Sequence, residues 1–363
     1  MKMILVTGGC GFIGSNFIRH ILQLWKEIKV VNIDLLTYAG NLSSLVDVER
    51  NFSDRYQFIR GDIRDREFLR RIFEAFEIDS VVHFAAESHV DRSILGPEVF
   101  VQTNVYGTLN LLEICRESWP PAESMKPKRF LHISTDEVYG SLGESGYFTE
   151  DSPYLPSSPY AASKASSDHM VHAYFRTFGL PALITHSSNN YGPFQFPEKL
   201  IPLVIANARK GMPLPVYGDG RNVRDWIYVE DHCRALLQVL DNGVPGHRYN
   251  IGANCEQQNI EVVNLICDYL DEKLGLIEGR PRRKLIRFVA DRLGHDKRYA
   301  LDTSKIKNTL GWKPEVAFEQ GLRQTVDWYV DNPLWVESIL NGSYMDYYQK
   351  QYGARLNERP KGD

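Results

Sequence analysis

No apolar run in this chain approaches the roughly 20 residues that a membrane-spanning helix needs. The run in "MKMILVTGG" is too short for a secretory signal, and glycines follow it at once. Cysteine is scarce and unpatterned: Cys10, Cys115, Cys233, Cys255 and Cys267 are odd in number, and no C-x-x-C occurs. That argues against a disulfide framework or a zinc site and fits a reducing, cytoplasmic compartment. A charge surplus is missing too. Net charge is -4, which gives no support for nucleic-acid or membrane partners. The one basic run, "RPRRK" (280–284), reads as a solvated loop, and no internal repeat or low-complexity tract appears. What is present, 43% hydrophobic and 24% charged residues, is ordinary for a globular protein. At 363 residues the chain exceeds one usual core, so two lobes are expected.

The first half alternates apolar runs with helix-like segments. Expected strands are 3–7, 29–34, 56–62, 80–86, 129–135 and 182–188. Each is nearly continuously apolar, the pattern of parallel strands covered on both faces. The segments Ser15–Trp25, Asp65–Phe76, Val99–Glu117 and Tyr160–Phe178 are long enough to be crossover helices. This predicts an α/β fold with a doubly wound parallel sheet over residues 1–190. After about Asn190 prolines and glycines break the rhythm, so a smaller α/β substrate lobe is expected over 191–335, then a tail over 336–363. Segments near 223–255, including "VRDWIYVEDHCRALLQVL" and "RYNIG", could return to the large sheet.

"VTGGCGFIGS" (6–15) lies between the first strand and the first helix. Gly8, Gly11 and Gly14 are spaced three and three, and Gly9, Gly11 and Gly14 also read as G-x-G-x-x-G. Glycines there let backbone N–H groups and a helix N-terminus approach a pyrophosphate. Asp34 ends the second strand, 20 residues after Gly14. A carboxylate there accepts bonds from the adenosine ribose and repels a 2′-phosphate, which favours NAD over NADP. Asp62, with Ile63, is placed to reach adenine, and Ala85 and Ala86 let the backbone pass close to the cofactor.

Two further clusters carry chemistry. "ISTDEVYG" (133–140) closes an apparently buried strand with adjacent acids, Asp136 and Glu137, after Thr135. Close carboxylates push each other's pKa values apart, so one can act as acid and the other as base. "SPYAASKAS" (158–166) puts Tyr160 and Lys164 at i and i+4 on one helix face, with Pro159 suited to the first turn. A lysine ammonium beside a phenol favours the phenolate and draws its pKa toward neutrality.

Together these features resemble the extended short-chain dehydrogenase/reductase superfamily, from Met1 to about Asn332. "STDEVYG", "AAESHVDRS", "SNNYGPFQFPEKLIP", "RDWIYVEDH" and "ADRLGHDKRYALD" narrow the resemblance to the dTDP-glucose 4,6-dehydratase family. His186, Ser187 and Leu293 depart from that pattern, at positions with no catalytic role in the family. The resemblance implies a Rossmann domain, a homodimer, NAD as cofactor, dTDP-glucose as substrate and no metal. Phe12, Ile13, Leu35, Thr37, Thr103 and Asn190 would complete the NAD site, with Tyr160 and Lys164 at its nicotinamide end. The implied reaction is oxidation at C4, loss of water across C5 and C6, and return of hydride to C6. Thr135 would hold the 4-hydroxyl and Tyr160 take its proton; Glu137 would take the C5 proton and Asp136 donate to the departing 6-hydroxyl.

For the substrate, Ser88, Thr135 and Asn189 would face the sugar, and Lys199 and Leu200 lie under the nucleotide. Arg224, Arg292 and His295 would meet the diphosphate and ribose, Pro215 and Tyr217 the pyrimidine, and Asn259 a phosphate or base edge. Arg224 could instead be an ion pair between lobes, and Tyr217 simple packing. The alternatives are a 4,6-dehydratase or 4-epimerase for another nucleotide sugar, or a protein that binds NAD without catalysis. An epimerase needs no proton chemistry at C5 or C6, so the acid pair speaks against it.

Overall fold

The large sheet is built from β1 (Met3–Thr7), β2 (Lys29–Asp34), β3 (Tyr56–Arg60), β4 (Ser80–His83), β5 (Arg129–Thr135), β6 (Ala182–Ser187) and β10 (Arg248–Ile251). These seven strands lie side by side in the order β10-β6-β5-β4-β1-β2-β3. Every neighbouring pair is parallel. The computed structural model describes residues 2–119, 128–340, 344, 346 and 348–357. The sheet's two faces explain the unbroken apolar runs. Ile4 and Val6 pack with Phe17 and Ile21 on one side, while Leu5 packs with Leu111, Leu112 and Val171 on the other. Strand order reverses between β1 and β4, so a crevice opens at the carboxyl ends of the strands, where this class of sheet binds ligands.

The expected strands hold, with shorter ends. β3 stops at Arg60 and β4 at His83 because the residues that follow leave the sheet to line the crevice. The first helix begins at Phe12, directly after Gly11. The expected helix Val99–Glu117 widens to π geometry over Val101–Gly107 before resuming at Thr108–Ser118. Such wide turns gather near functional sites, and Thr103 in this one lines the crevice.

Of the two segments that could return to the large sheet, Arg248–Ile251 does, pairing with β6. The other divides: β9 (Val223–Tyr228) sits between β7 (Asn189–Tyr191) and β11 (Glu256–Gln258) in a small mixed sheet, while the helix Val229–Asn242 that follows packs in the core of the large sheet. β8 (Leu214–Tyr217) pairs with β12 (Ile286–Val289). These strands and the helices Leu200–Arg209, Asn259–Leu274 and Phe318–Asp331 share a third core, with Tyr191, Val204, Val263 and Leu322 at its centre. Within the expected tail, Tyr344, Tyr348 and Tyr352 are buried against Leu203 and Tyr217; positions 341–343, 345, 347 and 358–363 lie outside the described residues.

Candidate active site

The crevice begins at the glycine loop. Gly8 has φ +71°, and a Cβ there would stand 2.6 Å from the Ala85 backbone nitrogen. A Cβ on Gly14 would stand 2.4 Å from the Gly8 carbonyl oxygen. Both positions therefore need glycine for close backbone packing. Gly9 packs against Asn32 and Ile18 instead, so the set that lines the crevice is Gly8, Gly11 and Gly14. Gly11 caps the helix Phe12–Leu24 with no side-chain bond, which leaves its first N–H groups open to an anion. Asp34 is buried and accepts from the Cys10 and Leu36 backbone nitrogens at 2.9 and 2.8 Å. Asp62 is bound by Arg64 at 2.6 Å. A bare backbone cradle and two carboxylates at strand ends fit a dinucleotide. Every residue expected at the cofactor lines this one crevice, Phe12, Ile13, Leu35, Thr37, Ile63, Ala85, Ala86, Thr103 and Asn190 among them.

The acids sit at its far corner. β5 ends at Thr135, whose Oγ1 accepts from the Glu137 backbone nitrogen at 3.3 Å and caps a 3-10 turn, Asp136–Tyr139. That cap explains why a buried strand can end in two carboxylates: both fall in one tight turn facing the crevice. Asp136 is 2% exposed, and its Oδ2 is buried without a partner. Burial, then Glu137 and Asp225, push its carboxyl well above the ordinary range. Glu137 is half-buried; burial raises its pKa, and Arg292, Lys199 and Arg224 pull it part of the way back. One acid thus holds its proton more tightly than the neighbour beside it.

Ser158 caps the helix Pro159–Phe178, with Pro159 in its first turn, and brings Tyr160 and Lys164 to the same corner. The expected direction of the phenol's pKa is not the one found. Burial, then Glu137, push Tyr160 up, while a hydrogen bond from Thr135 opposes them. Lys164 Nζ donates to the Ile133 carbonyl at 2.8 Å and lies 3.3 Å from His132 Nε2. Burial draws Lys164 down to about 8.

The expected substrate residues divide. Ser88, Asn189 and Lys199 line the crevice with Thr135, and Lys199 Nζ donates to the Ser88 carbonyl at 3.0 Å. Leu200, Pro215, Tyr217, Arg224, Asn259, Arg292 and His295 do not line it. Arg224 and Arg292 nonetheless act on Glu137, which places them just beyond the acid corner. Arg224 is no ion pair between lobes: it donates to the Val223, Asp296 and Lys297 carbonyls and lies over Tyr299. His295 is drawn down to about 4 by burial and by Arg292 and Arg224, so it is neutral at pH 7. Tyr217 is partly packing, since Gln351 Nε2 donates to its hydroxyl at 2.8 Å and Arg355 covers its ring. Asn189 Oδ1, Asn259 Oδ1 and Arg292 Nε are buried without partners. Native structures seldom leave such groups unpaired unless water, an ion or a ligand pairs them.

Three residues at the site escaped the sequence reading. Glu198 lines the crevice, is bound by Arg92 at 3.1 Å, and is raised to about 7 by burial. Tyr299 stacks under Arg224. His232 Nδ1 lies 2.8 Å from Asn190 Oδ1 and orients that amide. Glu198 stands next to Lys199 in "FPEKLIP", so an acid beside a ligand lysine was the available signal.

Residues 5–325 match the family model described as GDP-mannose 4,6 dehydratase. The dTDP-glucose 4,6-dehydratase of Xanthomonas campestris pv. campestris (strain B100) is 56% identical over 346 residues, 95% of this chain and 97% of that one. The same enzyme of Streptomyces venezuelae, solved with NAD and TYD bound, is 48% identical with a TM-score of 0.85, covering 93% of this chain and 99% of that one. That of Bacillus anthracis, solved with NAD, is 44% identical with a TM-score of 0.82, covering 93% and 100%. The chain belongs to the dTDP-glucose 4,6-dehydratase family of the extended short-chain dehydrogenases/reductases.

Proposed function

We propose that this protein is an NAD-dependent hydro-lyase that converts dTDP-glucose to its 4-keto-6-deoxy product, with its acid pair dividing the proton work. The observation that carries this reading is the Asp136–Glu137 turn, which faces the same crevice as Thr135 and Tyr160. NAD, when bound, would supply the hydride chemistry, as acceptor from C4 and donor to C6. Gly8, Gly11 and Gly14 seat its pyrophosphate, Asp34 its ribose, and Asp62 its adenine. Tyr160, aligned by Thr135, takes the proton of the 4-hydroxyl, and the Lys164 ammonium one turn on supplies the positive charge that a phenolate requires.

The 4-ketone acidifies the neighbouring C5 proton, which Glu137 removes. Asp136, kept protonated by burial and by Glu137, gives its proton to the departing 6-hydroxyl. Acid and base on consecutive residues of one turn act on the same side of the sugar, as a syn-elimination requires. Ser88 and Asn189 hold the sugar and Lys199 lies under the nucleotide, while Arg224, Arg292, His295 and Asn259 take the diphosphate end and Tyr217 the base. Arginine suits a phosphate because its planar fork gives two parallel bonds.

The chain works as two lobes, with the large sheet holding NAD and the third core beneath the nucleotide. A homodimer fits the exposed apolar residues Val99, Val101 and Tyr106 on the segment Val99–Glu117 and Phe178 on the helix Pro159–Phe178. Incubating the purified protein with dTDP-glucose and no reductant tests the function. A product with the alkali-induced ultraviolet absorbance of a 4-keto-6-deoxy sugar is expected, and a C4 epimer or unchanged substrate refutes it.

A further inference from the structure

One corner of the crevice carries acceptors whose protein donors are spent elsewhere. β6 ends at Ser187, which pairs with Thr135 of β5. The stretch that follows therefore borders the reacting corner, on the other half of the sheet from Asp34 and Asp62. Asn190 and Gln195 in this stretch line the crevice and are 9% and 8% exposed. The reaction as described gives Gln195 no role.

Hydrogen-bond partners fix both amides. Asn190 Nδ2 donates to the Ser188 carbonyl at 3.0 Å and to Ser187 Oγ at 3.3 Å, which uses both of its hydrogens. A carbonyl can only accept, so this nitrogen cannot change places with Oδ1. Oδ1 then accepts from His232 Nδ1 at 2.8 Å and keeps one lone pair. His232 is fully buried near the start of the helix Val229–Asn242, and burial draws its ring down to about 3. The neutral ring carries its one proton on Nδ1. Gln195 Nε2 donates to the Asn190 carbonyl at 2.9 Å, which fixes the second amide in the same way. Gln195 Oε1 is thus an acceptor, and among the described residues it is buried without a partner.

The backbone is strained to put Gln195 there. Phe194 before it has φ +69°, a left-handed conformation that bulky residues seldom adopt. Trp328 packs on Phe194 with ring centres 4.5 Å apart, Arg19 covers the Phe194 ring, and the Tyr329 hydroxyl donates to the Gln195 carbonyl. Such strain persists where surrounding structure enforces it, and it clusters at ligand sites.

Two buried acceptors side by side call for a ligand group with two hydrogens. We propose that Asn190 Oδ1 and Gln195 Oε1 together read the amino group of the nicotinamide carboxamide, and that His232 is the positioning residue that keeps Asn190 turned as an acceptor. That assignment rests on the reading of the crevice as the NAD site. An amino group has one hydrogen for each acceptor. The carboxamide oxygen turned the same way would face two lone pairs, so the pair holds the carboxamide one way round. A sugar hydroxyl is the rival donor, and a titration that contains no sugar excludes it.

Calorimetric titration of the full-length protein with NAD and with 3-acetylpyridine adenine dinucleotide tests this without turnover. The analogue carries a methyl group in place of the amino group. Wild type should bind NAD at least about tenfold more tightly, because the analogue leaves both acceptors buried and unpaired. Gln195→Met and His232→Leu should each cut that preference to about threefold or less. His232→Asn keeps an N–H near the Nδ1 position and should restore it. A residue that only packs would not distinguish asparagine from leucine in this way. If wild type binds neither dinucleotide, the NAD reading fails and this assignment with it. Equal binding of the two by wild type, or a preference that the variants leave unchanged, overturns the assignment alone. Nitrogen NMR of histidine-labelled wild type at pH 8, with His232 identified by its loss in His232→Asn, should show a proton on Nδ1. A bare Nδ1 overturns the proposal even if the leucine variant does not fold.

Discussion

Replacing Glu137 with glutamine separates the two halves of the reaction. The change is isosteric and keeps the backbone bond from Glu137 to Thr135 Oγ1. It removes the base at C5, and loss of a positioned general base slows a step by about a hundred- to ten-thousand-fold. The structure adds two further signs. Glu137 is, after burial, the main cause of the raised Tyr160 phenol, so Glu137→Gln should ease the first oxidation and move its acid limb down by on the order of one pH unit. Glu137 is also, after burial, the main cause of the raised Asp136 carboxyl, so in the variant Asp136 holds its proton less tightly and less of it is present as the acid, besides the loss of the base. Rapid mixing with dTDP-glucose should show the dinucleotide reduced at an undiminished rate and held reduced. Exchange of the C5 hydrogen with deuterated solvent should fall by the full factor. Loss of both steps together would refute the division of labour.

Asp136→Asn should lower turnover by about a hundred- to ten-thousand-fold while C5 exchange continues, as mass spectrometry of recovered substrate would show; loss of exchange would shift the base role to Asp136. Gly14→Ala places a Cβ 2.4 Å from the Gly8 carbonyl, so calorimetry should find NAD binding weakened at least tenfold and stability lower by about 1–3 kcal/mol. Unchanged binding would mean that the loop does not seat the pyrophosphate. Glu113 is lowered to about 2, chiefly by Arg116 and with Tyr174 and Arg66 helping, and ties two helices together. A depressed carboxylate stabilises the fold above its unfolded pKa and loses that effect as pH falls through its folded one. Glu113→Gln should therefore cost about 1–3 kcal/mol at pH 7, with wild type and variant converging near pH 2 in denaturant melts. A difference that persists there would show packing loss instead.

The sheet was legible because parallel strands covered on both faces are apolar without alternation, as Ile4, Leu5 and Val6 show by packing on opposite sides. The glycine loop was legible because close backbone approach tolerates nothing larger. The acid pair stood out because two adjacent carboxylates do not otherwise close a buried strand. What the sequence hid depends on partners far along the chain. Arg224 reads as a phosphate ligand, yet it is first a donor to three carbonyls. Tyr160 was expected to be made acidic by Lys164, but burial and Glu137 act on it more strongly, and Lys164 turns toward Ile133 and His132. The extent of the third core was hidden because β7, β9 and β11 are short and come from three separate stretches.

The central claim is an internal redox cycle, in which the hydrogen taken from C4 is the one delivered to C6. dTDP-glucose carrying deuterium at C4 tests it directly. One turnover by the purified protein, followed by NMR and mass spectrometry, should give a 4-keto-6-deoxy product with the label at C6 of the same molecule and no net change in the dinucleotide. Label retained at C4 in a glucose or galactose product, or washed into solvent, would contradict the account.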